Sequence, residues 1–289
     1  MRAVHEARST KRRRRTKAQV AALAEALLEI VREHHPMTVR QVFYQAVARG
    51  LVPKTEAAYR NDVGRLLVRL RRQGRLPYDW IADETRWMRK PKSYPNLRTA
   101  LTEMQWYYRR DLWAEAPVYV EIWCEKEALA GVLYPVTEEW DVPLMVSRGY
   151  ASLSYLHAAA ESIQAQGKPA YLYYFGDYDP SGKDIPRYVA QTLRHLAPEA
   201  AIHFAQVAVT PGQIDAWKLP TRPTKGTDTR ARRFGDTRSV ELDAIPPERL
   251  RELAEACILR HLDEGRLEKL AAIEQAERAI LARLARDTA

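Results

Sequence analysis

The sequence predicts an α/β chain, an N-terminal all-α-rich domain followed by a Rossmann-like parallel sheet. Three observations predict it. Apolar residues recur at helical spacing as far as about residue 73. From residue 117 short apolar runs alternate with helical stretches, the pattern of βαβ units. The run Ala170-Tyr171-Leu172-Tyr173-Tyr174-Phe175 is apolar throughout, as a strand covered on both faces should be.

The 289 residues leave room for two domains with separate cores. Their 46% hydrophobic and 29% charged content is that of a globular chain. The net charge of +9 favours an anionic partner, and nucleic acid is the commonest partner of a soluble basic protein. Only two cysteines occur, Cys124 and Cys257, without metal-ligand spacing, so neither a disulfide framework nor a cysteine zinc site is expected. No apolar run approaches the roughly 20 residues of a membrane helix. The basic N-terminus has no apolar segment behind it, so a cytoplasmic protein without a membrane partner is expected.

Residues 1–15 end in Lys11-Arg12-Arg13-Arg14-Arg15, a self-repelling run expected to be a disordered tail. Arg12, Arg13, Arg14 and Arg15 either grip phosphates or stay solvated; the basic charge elsewhere favours phosphate contact. Thr16 and Gln19 have capping-box spacing and open a helix to about His34. Thr38 and Gln41 repeat the signal for a helix to about Ala48, with Gly50 just beyond its end. A third helix spans about Glu56 to Gln73. Val63, Leu66, Leu67 and Leu70 form its apolar face, and Arg60, Arg65, Arg69, Arg71 and Arg72 occupy its other positions. With Arg75–Ile81 as the wing, residues 16–95 read as a winged helix-turn-helix domain. Arg60, Arg65, Arg69 and Arg72 would then face DNA. An ordinary helical bundle with a solvated basic face is the plainer alternative.

Residues 84–96 read as a linker, and residues 96–116 as a connecting helix capped by Asn96 and reaching about Trp113. The sheet domain spans 117–264. Its strands are expected at 118–123, 143–146, 170–175 and 202–209, with helices at about 125–134, 152–165 and 181–196 between them. Residues 211–240 form a long basic loop in which Lys225, Arg232 and Arg233 are candidate DNA contacts. Helices follow at about 246–261 and 267–284, the last within a C-terminal segment 265–289.

In open parallel sheets, ligands bind beyond the carboxyl ends of the strands. Glu125 stands just past the first strand, and Asp177 and Asp179 just past the third. Two aspartates spaced by two in extended chain point the same way. Three converging carboxylates repel one another unless a hard cation neutralises them or their pKa values rise. A divalent ion held there binds phosphate and stabilises charge on a leaving oxygen. An isolated Asp-x-Asp is more often a loop or cap feature.

Glu125-Lys126-Glu127-Ala128 and, downstream, Gly176-Asp177-Tyr178-Asp179-Pro180-Ser181-Gly182-Lys183-Asp184-Ile185 resemble the Toprim domain. The resemblance is closest to the topoisomerase VI A subunit, a type IIB topoisomerase component, and its relative the meiotic double-strand-break transesterase. It implies that Glu125, Asp177 and Asp179 bind Mg²⁺, for which Mn²⁺ would substitute. That family places a winged helix before the Toprim domain, and Thr38-Val39-Arg40-Gln41-Val42-Phe43-Tyr44 is similar to the motif carrying its nucleophilic tyrosine. By resemblance Tyr44 is the nucleophile and Arg40 an active-site arginine. Four residues apart, they share a helix face, and a guanidinium beside a phenol favours the phenolate. Val240-Glu241-Leu242-Asp243-Ala244 is similar to a late strand of the domain, whereas Ser147–Ser152 lacks the proline of the family's loop.

The resemblance further implies double-stranded DNA as substrate, a 5′-phosphotyrosyl link, and a homodimer joining one protomer's tyrosine to the other's metal site. ATPase activity would come from a separate subunit. The alternative is a Toprim-type DNA nuclease in which metal-activated water attacks and Tyr44 only packs.

Overall fold

The computed structural model describes residues 15–82, 92–224 and 234–288. The candidate contacts Arg12, Arg13, Arg14, Lys225, Arg232 and Arg233 lie outside them, as does most of the expected linker.

The first three helices form where the sequence signals them. Helices α1 (Lys17–His34) and α2 (Val39–Ala48) each begin with a complete capping box, Thr16 with Gln19 and Thr38 with Gln41. The third begins as a π-wound segment, Ala58–Gly64, and continues as α3 (Arg65–Arg72). Leu27, Val42, Val63, Leu67 and Leu70 bury the faces these helices share. The expected wing is not a β-ribbon: Tyr78–Trp80 is one 3₁₀ turn, and Ile81 makes an isolated bridge to Met37. The turn follows Pro77, which has no N–H to lend a ladder.

Helix α4 is Leu97–Tyr107 and stops short of Trp113. Tyr108 and Arg110 there turn to Glu277 of the C-terminal helix, and Asp111 accepts a hydrogen bond from the Trp113 amide. These bonds, two of them to a distant helix and one local, replace helical continuation.

The chain is α/β, with one four-stranded parallel sheet. Strands β1 (Tyr119–Cys124), β2 (Leu144–Val146), β3 (Ala170–Phe175) and β4 (Ile202–Ala208) lie in the order β2-β1-β3-β4. Strand β1 pairs β3 over its whole length, from Tyr119 with Ala170 to Cys124 with Phe175. A 3₁₀ turn, Glu127–Leu129, and α5 (Ala130–Glu139) follow β1; α6 (Leu153–Ala165) leads into β3, and α7 (Pro180–Leu196) follows it.

The supposed loop after β4 contains a helix, α8 (Pro211–Ala216), opened by a Thr210–Gln213 capping box, and short antiparallel strands β5 (Arg222–Pro223) and β6 (Arg238–Ser239). Residues 240–244 are not a strand. Val240 bridges Tyr178, and Leu242–Ala244 is a 3₁₀ turn. Helices α9 (Pro247–Leu259) and α10 (Glu264–Asp287) close the chain, and α10 packs along α4. Among the described residues no helix is long and apolar enough to cross a membrane.

Two apolar layers cover the sheet. On one face Trp123, Leu172 and Tyr174 pack with Leu156 and Ile163 of α6 and Val189 and Leu193 of α7. On the other, Ile122, Cys124, Tyr173 and Phe175 pack with Leu133 of α5 and Ile258 of α9. This second layer continues without a break into the N-terminal helices.

Candidate functional site

The site forms where β1 and β3 end side by side. The Glu125 amide donates to the Phe175 carbonyl (2.9 Å), and the Asp177 amide donates back to Glu125 Oε2 (3.1 Å). The two segments therefore leave the sheet side by side, with the Asp177 backbone against the Glu125 carboxyl group. Glycine makes this approach feasible. A Cβ on Gly176 would lie 2.6 Å from Glu125 Oε2 and 2.5 Å from the Tyr174 ring, and one on Gly182 would lie 2.0 Å from the Asp177 carbonyl oxygen. Asp179 caps α7, its Oδ1 accepting from the Gly182 amide at 2.7 Å, with Pro180 at the first helical position.

Burial outweighs the balancing charge at two of the carboxylates. Burial, then the negative charge of Asp177, pushes Glu125 up to about 7, and Asp179 adds to the effect. Burial likewise raises Asp177 despite its contact with Lys126. Carboxylate oxygens are the donors a hard divalent cation takes, and Glu125, Asp177 and Asp179 are the residues that would supply them. Among the described residues no three His, Cys, Asp or Glu side chains form a ready cage of ligands. The positive charges facing the aspartates are Lys126, 2.9 Å from Asp177 Oδ1, and Arg222, 3.6 Å from Asp179 Oδ2.

A second acidic group adjoins the first. The Leu242 amide donates to Asp177 Oδ1 (2.8 Å) and fixes the Leu242–Ala244 turn against the β3 exit. That turn buries Glu241 and Asp243, whose side chains are 6% and 0% exposed. Lys126 Nζ reaches Asp243 Oδ2 at 2.6 Å and Glu241 Oε2 at 3.4 Å. Burial works against the ammonium's charge, but Asp243, Asp177 and Glu241 outweigh it and hold Lys126 above the usual lysine range. Asp243 Oδ1 is buried without a hydrogen-bond partner. Burial also opposes charge on Glu241; Lys126, Arg40 and Arg222 overcome it and keep this carboxyl below the ordinary glutamate range.

Helix α2 packs on the same turn and brings Arg40 and Tyr44 with it. Arg40 meets Glu241 through Nε and a terminal nitrogen. Tyr44 is 3% exposed, edge-on to Phe43, with Lys54 Nζ 5.1 Å from its ring centroid. The expected drop in its pKa does not occur. Burial, then the negative charge of Glu241, pushes the phenol up to about 12, outweighing Arg40. The resemblance pairs a tyrosine with a second protomer's metal site; here Tyr44 lies against Glu241 of its own chain.

The candidate DNA contacts divide. Arg15 is tied to the fold by the Leu51 carbonyl (3.2 Å) and Asp62 (3.7 Å), so it does not extend as part of a tail. Arg60 pairs with Glu56 on the surface. Arg65, Arg69 and Arg72 are exposed on α3.

Thus Glu125, Asp177 and Asp179 gather at one sheet edge, and Arg40 with Tyr44 reaches the neighbouring acidic turn. Sequence reasoning gave no role to Lys126, Glu241, Asp243 or Arg222. The available signal was two acids alternating with Val240, Leu242 and Ala244, which marks charge inside an apolar segment. No protein-family model matches the chain, and no curated protein matches it in sequence.

Proposed function

We propose that the chain is a Mg²⁺-dependent DNA-cleaving transesterase built like the topoisomerase VI A subunit, a winged-helix domain joined to a Toprim domain. The observation that carries this reading is the continuity of the site. Glu125 and Asp177 adjoin at the sheet edge, Lys126 links Asp177 to Glu241, and Glu241 holds Arg40 one helical turn from Tyr44. Glu125, Asp177 and Asp179 would hold the metal, whose chemistry is to neutralise charge on the scissile phosphate and the leaving oxygen.

The protein groups do the rest. Arg40 draws a phosphate oxygen toward α2. Glu241, kept ionised by its three cations, receives the hydrogen of the Tyr44 hydroxyl. The phenolic oxygen bonds to phosphorus as the bond from phosphorus to the 3′ oxygen breaks, and the departing 3′ oxygen takes up a proton from solvent. The product is a 5′-phosphotyrosyl link and a free 3′ hydroxyl, which conserves the bond energy for rejoining.

The nuclease reading draws on a different observation, the near-complete burial of Tyr44 and its raised pKa, which suit a packing residue. Labelled DNA incubated with Mg²⁺ or Mn²⁺ and run on a denaturing gel separates the two. A covalent adduct with the wild type, lost in Tyr44→Phe, is the expected result. Cleavage that persists in Tyr44→Phe with free 5′ ends would establish the nuclease instead.

A further inference from the structure

Beside Arg40 the N-terminal helices form an open cleft of about 600 Å³. Val39, Tyr59 and Val68 give it apolar walls. Arg65, Arg69 and Arg72 give it charge, and their spacing of four and three sets them on one face of α3. Among the described residues none of these three meets a carboxylate. Arg71, on another face, is spent on the carbonyls of Tyr78 and Ile81. Val68 stands 47% exposed among the guanidinium groups.

The cleft adjoins the candidate site. Arg40, which is held by Glu241, also lies over the Tyr59 ring, 5.7 Å from its centroid. Tyr59 sits in the π-wound Ala58–Gly64, and Gly64, without a side chain, lines the cleft. Short π segments within helices often mark functional sites.

We propose that this cleft binds an unpaired stretch of single-stranded nucleic acid, its phosphates on Arg65, Arg69 and Arg72 and a base against Tyr59 and Val68. This deepens the reading above and rests on it only for the class of partner. A helix that reads a duplex enters the groove as a convex ridge. A concave, apolar-walled site rimmed by unpaired arginines instead suits a base whose face is exposed, since stacking needs that face and a duplex hides it.

The test is fluorescence anisotropy of the full chain in EDTA, so that no metal-dependent cleavage intervenes. The probes are an oligothymidylate, an abasic strand of the same length and a duplex of the same length. The oligothymidylate is expected to bind about tenfold more tightly than the abasic strand, the difference being base stacking. Val68→Glu, at an exposed position that leaves the core intact, should weaken both strands and erase the difference. Replacing Arg65 and Arg69 by Gln should reduce the slope of log affinity against log salt by about 1.4, at about 0.7 per phosphate contact. Equal binding of thymidylate and abasic strands, a duplex bound as tightly as the thymidylate, or binding indifferent to Val68→Glu would overturn the assignment. The adduct assay with Tyr44→Phe is independent of this outcome, so failure of the cleft and failure of the transesterase reading are separately visible.

Discussion

Arg40 closes on Glu241 across 201 residues of sequence, its Nε at 2.8 Å and a terminal nitrogen at 2.7 Å from the same carboxylate oxygen. Glu241 is also 3.1 Å from Arg222 and 3.4 Å from Lys126. One buried carboxylate therefore keeps three cations together. Glu241→Ala should destabilise the protein by about 3 kcal/mol, because it leaves those charges facing one another with partial burial. Arg40→Ala should cost less, since its guanidinium is 42% exposed and two cations remain on Glu241. Urea midpoints of the two variants check the order.

Lys126 and Asp243 make the most enclosed of these contacts. Lys126→Met should lose about 3–5 kcal/mol by stranding the Asp243 carboxylate. Adding Asp243→Asn to Lys126→Met should recover part of that loss, as a neutral amide is cheaper to bury than a charge. A double-mutant cycle in urea measures the coupling; strict additivity would show that the two groups act independently.

Gly182→Ala should be as damaging as a core substitution, although glycine there sits in an ordinary helix. The added Cβ would meet the Asp177 carbonyl oxygen at 2.0 Å, and the β3 exit would have to move. We expect a loss of about 3 kcal/mol together with metal-dependent cleavage. Asp177→Ala should lose cleavage without losing the fold. Thermal melts beside the gel assay distinguish the two variants.

Mixing Tyr44→Phe with Asp177→Ala tests which chain supplies the tyrosine. With Tyr44 facing its own chain's turn, the mixture should form no adduct. Recovery of adduct on mixing would mean that the tyrosine acts on a second protomer's carboxylates, as the resemblance implies.

The raised phenol of Tyr44 has a definite sign in pH. Folding lifts its pKa above the ordinary value of about 10, to about 12. The fold favours the neutral form, so this contribution is complete below about pH 10 and is lost as pH rises toward 12. The stability difference between wild type and Tyr44→Phe should be flat near neutrality and shrink above about pH 10. If phenolate is the attacking form, adduct formation should climb about tenfold per pH unit between about pH 8 and 10.

Much of this architecture is legible in the residues. Apolar runs mark β1 and β3 because both faces of those strands are covered. Thr16 with Gln19 and Thr38 with Gln41 mark helix starts because the caps are local. Glu125, Asp177 and Asp179 can be placed at a sheet edge because parallel strands end together. The Glu241–Asp243 turn is not legible in this way. Alternating Val240, Leu242 and Ala244 mimics a strand with a polar outer face, whereas both acids point inward to Lys126, more than a hundred residues away. The early end of α4 is likewise set by Glu277, a partner far along the chain.

The apolar layer running from α1–α3 to the sheet sets how the molecule comes apart. Cutting the chain between residues 82 and 92 would leave a greasy face on each half, so neither fragment should behave as an independent module. A reader of the sequence sees two parts in succession. A shared apolar layer predicts one thermodynamic object, which should melt in a single transition.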